Sequence, residues 1–191
     1  YLKLLHSLRI SLMKLIYSAI CLALCIVLPF LTGQIPQIGQ ALSPMHIPAL
    51  LCGFLCGPVW GAVVGAVGPV LRSAMIGMPP MFPVAVSMAF ELAAYGAAAG
   101  ILYKLLPKKL PYIYVSLVAA MIVGRIVGGV AKFAILGFDP EKMTIAIFYA
   151  DYFAGTLPGI ILHIIIIPPI VWALRRAKLL SVDVEPSADA T

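Results

Sequence analysis

Long apolar runs, separated by short stretches of glycine, proline and charged residues, make up most of the chain. They predict helices at about 12–32, 45–56, 58–76, 84–106, 112–136 and 151–174. Most of these windows reach the roughly 20 residues that an α-helix needs to cross a bilayer. The pattern therefore predicts an all-α membrane protein with one transmembrane domain over residues 1–176. The polar residues 177–191 predict a disordered tail.

The second and third windows are separated by Gly57-Pro58, where proline interrupts the backbone hydrogen-bond ladder. With both windows counted, the basic clusters at 3–14, 104–109 and 175–178 fall on one side of the membrane, as the positive-inside rule requires. The prediction is six transmembrane helices with cytoplasmic N- and C-termini. Whether residues 45–56 span fully or only dip into the membrane stays open.

Composition excludes several classes of protein. Of the 191 residues, 63% are hydrophobic and only 10% are charged, which a soluble domain of this size could not bury. The net charge of +6 comes from topogenic clusters between apolar runs, so it does not indicate a nucleic-acid surface. The pairs Cys21/Cys25 and Cys52/Cys56 lie within apolar runs and are interpreted as packing residues rather than disulfide or zinc ligands.

Ionisable residues within membrane helices are costly and therefore indicate functional sites. In the six-helix topology they lie towards the outer side, and the outward loops add further polar or adaptable side chains. Together they predict a pocket that opens to the outside and is closed towards the cytoplasm. The ionisable residues are Arg72, Glu91, Arg125, Lys132, Asp151 and His163, and the loop residues are Gln34, Gln37, Gln40, His46, Met78 and Tyr149.

Each candidate also has a structural interpretation. Glu91 and Arg125 could form an ion pair between helices, and Arg72 and Lys132 could extend to the lipid headgroups. His163 could be a packing histidine bonded to a backbone carbonyl. His46 lies between two prolines in a rigid segment, which favours pocket lining and packing equally.

Small residues four apart permit close approach of another helix. Ala19-x-x-x-Ala23 and Gly124-x-x-x-Gly128 have this spacing, and intramolecular packing would explain either motif equally well. No G-x-x-x-x-G-K-[ST] phosphate loop and no G-x-S-x-G or H-E-x-x-H motif occurs, so ATP hydrolysis and intramembrane catalysis are poor fits. The chain is predicted to be neither an enzyme nor a metalloprotein.

These features resemble the substrate-binding S components of energy-coupling-factor (ECF) vitamin transporters, in the group that includes folate, pantothenate and pyridoxine types. The resemblance covers residues of about 12–176 and rests on local matches at 41–61 (ALSPMHIPALLCGFLCGPVWG), 77–83 (GMPPMFP) and 89–96 (AFELAAYG). It implies high-affinity capture of a water-soluble vitamin outside a bacterial or archaeal cell membrane. It also implies assembly with a transmembrane coupling (T) subunit and two cytoplasmic ATPase subunits. The chain itself would need no cofactor, and ATP would bind to the partners.

The resemblance also implies residue roles. Ala19 and Ala23 would meet the coupling subunit, and residues 77–83 would form a gating loop that includes Gly77, Met78, Pro79 and Pro80. The expected substrate-binding residues are Arg72, Glu91, Arg125, Lys132, Asp151, His46, Tyr95 and Tyr149.

Three cationic side chains against two acidic ones favour a substrate with a carboxylate or another acceptor-rich group. Pantothenate, a folate-like molecule and a zwitterionic pyridine all fit this description, and the best candidate is pantothenate-like. The available aromatic rings are Phe82, Tyr95, Phe148, Tyr149 and Tyr152. The rival hypotheses are a self-sufficient small secondary transporter or channel that works as an oligomer, and a purely structural subunit of a membrane complex.

Overall fold

The computed structural model describes residues 2–32, 35–137, 139, 141 and 144–177. Gln34 and the predicted tail beyond Ala177 lie outside these residues, as does the side chain of Gln40. The described chain is helical, and its α-helices are numbered in order. They are α1 (Leu2–Val27), α2 (Pro36–Leu42), α3 (His46–Cys56), α4 (Pro58–Ile76), α5 (Val86–Leu105), α6 (Leu110–Ile135), α7 (Ile145–Tyr149) and α8 (Leu157–Arg176).

The apolar windows locate most of these helices, but the structure differs at three places. Helix α1 begins at Leu2, before the apolar window, and continues as a 3-10 helix at Leu28–Thr32. Helix α2 was not predicted; Pro36 at its first position suits a helix start, because proline lacks the N–H that would be unpaired there. The last window is divided into α7, a π turn at Ala150–Ala154 and α8.

The break between α3 and α4 occurs at Gly57, as the Gly57-Pro58 pair predicted. Gly57 has φ of 92°, a backbone conformation that favours glycine, and it ends α3 and precedes α4. Pro58 then occupies the first turn of α4. The structure thus has two helices, α3 and α4, in this part of the chain.

Glycines bring the backbones of α3, α4 and α5 into direct contact. Gly57, Gly61 and Gly65 repeat every four residues, and they face Gly100, Gly96 and Leu92 of antiparallel α5. A Cβ atom at Gly61 would lie 2.7 Å from the Cα atom of Gly53 on α3, which is closer than real Cβ contacts. Backbones at this distance gain dispersion contacts that side chains would block. We call this part of the helical bundle, where α3, α4 and α5 pack through Gly53, Gly61, Gly65, Gly96 and Gly100, the glycine-packed half.

In the described part of the chain, five helical segments are long and apolar enough to cross a membrane: Leu5–Leu31, Pro58–Ile76, Met81–Leu105, Leu110–Ile135 and Ile145–Arg176. Helix α3 is different, because its 11 residues are all buried and span only about 16 Å at 1.5 Å per residue. That is about half of the ~30 Å hydrocarbon thickness. Helix α3 therefore packs inside the bundle, while the six-span count and the cytoplasmic termini stay predictions.

Helix α1 packs on α3 and α4 with one face only. Ser18, Cys21 and Cys25 are buried on that face, and the Ser18 hydroxyl lies 3.5 Å from the thiol of Cys52 on α3. All four cysteines are buried and free of disulfides, in keeping with their interpretation as packing residues. On the opposite face, Ala19 and Ala23 are exposed among large aliphatic side chains.

Candidate functional site

A cavity of about 510 Å³ lies at one end of the helical bundle, which we call the cavity end. Its walls come from helices α2 to α6, the segment between α4 and α5, the π turn and Thr156. Six of the predicted substrate-binding residues line it, although they come from five different parts of the chain. They are His46, Arg72, Glu91, Arg125, Lys132 and Asp151.

Two predicted residues lie elsewhere. Tyr95 is completely buried behind the cavity wall, where its ring meets that of His46 edge-on at a centroid distance of 5.0 Å. Tyr149 on α7 is 63% exposed and lies outside the lining. The structure therefore groups the charged candidates and His46, and leaves both tyrosines outside the cavity surface.

Glu91 pairs with His46. The Glu91 Oε1 atom lies 3.3 Å from His46 Nε2, and both side chains are only 7% exposed. The sequence-based alternative, an ion pair between Glu91 and Arg125, does not occur among the described contacts. Gly128 of α6 lies against the Glu91 side chain, and Gly124 lies against the Tyr95 ring. The Gly124/Gly128 motif therefore serves intramolecular packing.

Arg125 is 2% exposed and has two unsatisfied donors. Its Nη1 atom donates hydrogen bonds to the Tyr152 carbonyl oxygen and to the Thr156 hydroxyl. Its Nε and Nη2 atoms are buried and have no hydrogen-bond partner among the described residues. An unsatisfied buried donor costs about 1–3 kcal/mol, and more when it is charged. Such a group indicates a place where a ligand would supply the acceptors.

The partners of Arg125 arise from an interruption between α7 and α8. The Gly155 N–H reaches back five residues to the Ala150 carbonyl, which makes a π turn. Helix α8 then restarts at Leu157 with Pro158 in its first turn, where no N–H is available to continue the ladder. The Tyr152 carbonyl beside this interruption accepts from Arg125 and from the Thr156 hydroxyl, the latter at 2.8 Å.

Thr156 is a site residue that sequence reasoning did not identify. The available signal was local: a threonine two residues before Pro158, at a helix boundary inside a long apolar window. That signal marks a helix start but gives no information about contact with α6.

Lys132 and Asp151 form an ion pair at the rim of the cavity. Lys132 Nζ donates to Asp151 Oδ2 at 2.6 Å, and the two side chains are 24% and 33% exposed. Lys132 also lies over the Tyr152 ring at 5.8 Å. The pair joins the end of α6 to the π turn, so Lys132 has a protein partner rather than extending alone to the surface.

Arg72 connects the cavity to the end of α1. Its Nη1 atom donates to the Ile26 carbonyl oxygen at 2.6 Å, and its guanidinium lies 5.1 Å from the centroid of the Phe30 ring. Backbone carbonyls in the last turn of a helix have no hydrogen-bond donor within the helix, and Arg72 donates to one of them. The residue is only 3% exposed, so it faces protein and cavity rather than the surrounding surface.

His163 lies below the cavity and is fully buried. Its Nε2 atom is 3.2 Å from the Ser43 carbonyl oxygen, and its ring stacks with that of His46 at 6.0 Å. Ser43 has a φ of 46° and a ψ of 52° at the end of α2, where its carbonyl leaves the helical direction. The interpretation of His163 as a packing histidine bonded to a backbone carbonyl matches this geometry.

The segment between α4 and α5 contributes to the cavity wall. Met78, Pro79 and Pro80 line the cavity, and the Met78–Pro79 peptide bond is cis. Gly77 ends α4 with a φ of +77° and is exposed. The predicted gating segment therefore lies against the cavity, while Ala19 and Ala23 lie on the outer face of α1.

The balance of charge in the cavity favours anions. Three cationic groups, Arg72, Arg125 and Lys132, line it together with two carboxylates, Glu91 and Asp151. The carboxylates are paired with His46 and Lys132 respectively, whereas Arg125 has no acidic partner among the described residues. The lining therefore has an excess of positive charge, and Arg125 contributes a cation with no acidic partner among the described residues.

Comparison with known proteins agrees with the transport hypothesis. No curated protein and no solved structure gives a significant match to the chain. A family model described as "ECF transporter, substrate-specific component" matches residues 13–172, which is well over half of the chain. The components of this family bind substrate for transport and are not enzymes. Taken with the apolar helices and the polar cavity, the match shows that the chain belongs to the substrate-specific (S) components of ECF transporters.

Proposed function

We propose that this S component captures a small carboxylate-bearing vitamin or vitamin precursor, with pantothenate as the first candidate. The observation that supports the proposal best is Arg125, whose Nε and Nη2 atoms are buried without partners in a cavity with excess positive charge. Arg72, Lys132 and Asp151 would complete the polar lining, and Glu91 with His46 would contact polar groups at the other end of the substrate.

The chemistry of guanidinium favours a carboxylate. The Nε–H and one Nη2–H bond lie parallel on the same edge of the planar group, and they match the two oxygens of a carboxylate. Such a bidentate contact would satisfy both unpaired donors of Arg125 at once. A neutral alcohol or amide in the same place would satisfy only part of this edge and would leave the charge uncompensated.

The lining also favours an aliphatic substrate over a large planar one. Among the lining residues that the structure describes, Tyr152 is the one aromatic side chain apart from His46, and methionines, prolines and aliphatic side chains supply most of the apolar surface. Other rings at this end stack on one another: Phe148 on Tyr152 at 5.3 Å and Tyr149 on Phe153 at 5.9 Å. A fused-ring vitamin would find few partners for stacking.

The proposed transport cycle needs other subunits. The substrate would enter from outside a bacterial or archaeal cell, and Met78, Pro79 and Pro80 would close over it. The loaded protein would associate through Ala19 and Ala23 with the transmembrane coupling (T) subunit, and ATP hydrolysis by two cytoplasmic ATPase subunits would drive release. Ligand binding can favour the closed state only through contacts made better in that state.

Thermal unfolding of the purified chain in detergent tests the substrate. A ligand that binds only the folded state stabilises it by RT ln(1 + [L]/Kd), so a ligand at 100 times Kd adds about 2.7 kcal/mol. We expect pantothenate to raise the unfolding temperature and panthenol, in which an alcohol replaces the carboxylate, to have a much smaller effect. An equal effect of both compounds would contradict the carboxylate proposal.

Ala19→Trp and Ala23→Trp test the partner surface. Both positions are exposed, so the variants should fold and bind ligand normally, but the large ring should prevent copurification with coexpressed coupling and ATPase subunits. Val63→Trp is the matched control, since Val63 is 50% exposed on the outer face of α4. Concentrative uptake by the chain alone in liposomes would instead favour the secondary-transporter hypothesis.

A further inference from the structure

The anchor of Arg125 is a closed set of three hydrogen bonds. Arg125 Nη1 donates to the Tyr152 carbonyl and to the Thr156 hydroxyl, and the Thr156 hydroxyl donates to the same carbonyl. Thr156 is 6% exposed and lines the cavity. Its hydroxyl is thereby used as both donor and acceptor, so its single hydrogen is not available to another partner.

These hydrogen bonds fix the position of Nη1, one of the three nitrogens of the planar Arg125 guanidinium. With Nη1 held, the Nε and Nη2 edge of Arg125 has a defined orientation, and an arginine side chain otherwise carries about 2 kcal/mol of rotamer entropy. Two carboxylates, Asp151 and Glu91, line the same cavity. A guanidinium without its anchor could turn to either acid, and the edge would then be lost to a substrate carboxylate.

We propose that Thr156 is a positioning residue that holds the Nε and Nη2 edge of Arg125 ready for the substrate carboxylate and so determines selectivity for acids. The inference rests on the proposed function of the cavity. It assigns the selectivity to the interrupted helix between α7 and α8, because only there do a backbone carbonyl and a hydroxyl meet Arg125.

Binding affinities for pantothenate and panthenol provide the first test. Thr156→Val, which removes the hydroxyl and preserves shape, should weaken pantothenate binding about tenfold or more, because a hydrogen bond to a charged group is lost. Panthenol binding should change little, so the ratio of the two affinities should fall. Thr156→Ser should restore the ratio. If Thr156→Val does not fold, Thr156→Ala takes its place.

Ser116→Ala is the matched control. The Ser116 hydroxyl is buried on α6 and donates to the Tyr112 carbonyl four residues earlier, at 2.8 Å, which reproduces the bond from Thr156 to Tyr152 away from the cavity. Its affinity ratio should equal that of the unmodified protein. Equal loss of both ligands in Thr156→Val would overturn the proposal, since a purely structural role weakens both alike.

A second measurement needs no ligand. The chain has five arginines, so the guanidinium Nε–H signals in an NMR spectrum of 15N-arginine protein are few, and Arg125→Lys identifies the one from Arg125. We expect a slowly exchanging Arg125 signal in the unmodified protein and in Thr156→Ser, and its loss or broadening in Thr156→Val. An unchanged signal in Thr156→Val would overturn the positioning role. If pantothenate does not bind, the proposed substrate is wrong, and the NMR comparison then decides whether Thr156 positions Arg125.

Discussion

The two halves of helix α5 show how one element can serve opposite purposes. From Leu92 to Gly100 it lies against the backbone of α4, and the absence of side chains at Gly96 and Gly100 permits that contact. At Ser87 and Glu91, towards the cavity end, the helix faces a cavity of about 510 Å³. The part from Leu92 to Gly100 packs closely against its neighbours, whereas the part at Ser87 and Glu91 lines an open cavity with polar side chains.

The two halves differ in how they tolerate amino-acid substitutions. The glycine-packed half is held by backbone contacts, where an added methyl group has no room. The cavity end is held by pairs of polar side chains in direct contact, such as Glu91 with His46 and Lys132 with Asp151. Arg125 differs from these pairs, because only one of its three nitrogens has hydrogen-bond partners among the described residues. Substitutions should therefore impair folding in one half and binding in the other.

The largest effect is expected from Gly96→Val. The new side chain would meet the backbone of Gly61, so α4 and α5 must separate, and the cost should exceed the 1–3 kcal/mol typical of overpacking. We expect little folded protein by size-exclusion chromatography in detergent. Val63→Leu on the exposed face of α4 is the control and should behave normally. Normal folding of Gly96→Val would refute the close contact.

Arg125→Gln should abolish binding while preserving the fold. Loss of two charge-assisted hydrogen bonds to a carboxylate should weaken pantothenate binding by about 100-fold or more. The measurement is isothermal titration calorimetry, accompanied by thermal unfolding without ligand. Since the substitution removes the two unsatisfied buried donors together with the two hydrogen bonds of Nη1, we expect the stability of the ligand-free protein to change little. Affinity within a few-fold of the original would exclude Arg125 from the site.

Glu91 lies at the boundary between the two halves, and its replacement should have an intermediate effect on stability. Glu91→Leu leaves His46 Nε2 buried without its acceptor, which should lower the free energy of unfolding by about 1–3 kcal/mol. Glu91→Gln keeps an oxygen acceptor and should lose less. Thermal unfolding without ligand compares the two variants. Equal stability of the leucine and glutamine variants would show that the pair with His46 contributes nothing.

The smallest effect is expected from Lys132→Met at the rim. The ion pair with Asp151 is partly exposed, so its loss should change stability by less than about 1 kcal/mol. The unpaired Asp151 carboxylate should nevertheless weaken binding of an anionic substrate several-fold, with a larger effect at low salt. Calorimetry at two salt concentrations measures this. A loss as large as that from Arg125→Gln would make Lys132 a direct ligand contact.

Several features could be predicted from local sequence. The bounds of α4 follow from Gly57-Pro58 at one end and Gly77 at the other, which are strong helix boundaries. Glu91 and Arg125 are candidate site residues because charges in apolar helices are costly, and both line the cavity. The pairing of these charges could not be predicted. Glu91 meets His46, and Arg125 meets a carbonyl and a hydroxyl, because the crossing of α3, α5, α6 and α8 determines which groups approach.

The same limit applies to small residues. Gly124 and Gly128 have the spacing of a helix contact, but so do Gly57, Gly61 and Gly65, and spacing does not identify what packs into the space. The structure places Tyr95 and Glu91 beside the first pair and the α5 backbone beside the second group. In each case the neighbour comes from a distant part of the chain.

Hydrophobicity and boundary signals along the chain predict a helical membrane protein, the ends of most helices and the residues that carry charge into the bilayer. These properties depend on hydrophobicity and on backbone chemistry, which act within about 20 residues. The burial of α3, the support of the end of α1 by Arg72 and the unpaired edge of Arg125 are properties of the folded molecule alone. Those properties depend on contacts between segments far apart in the chain, and a hydrogen bond requires its partner within about 3 Å, a separation that local patterns do not specify.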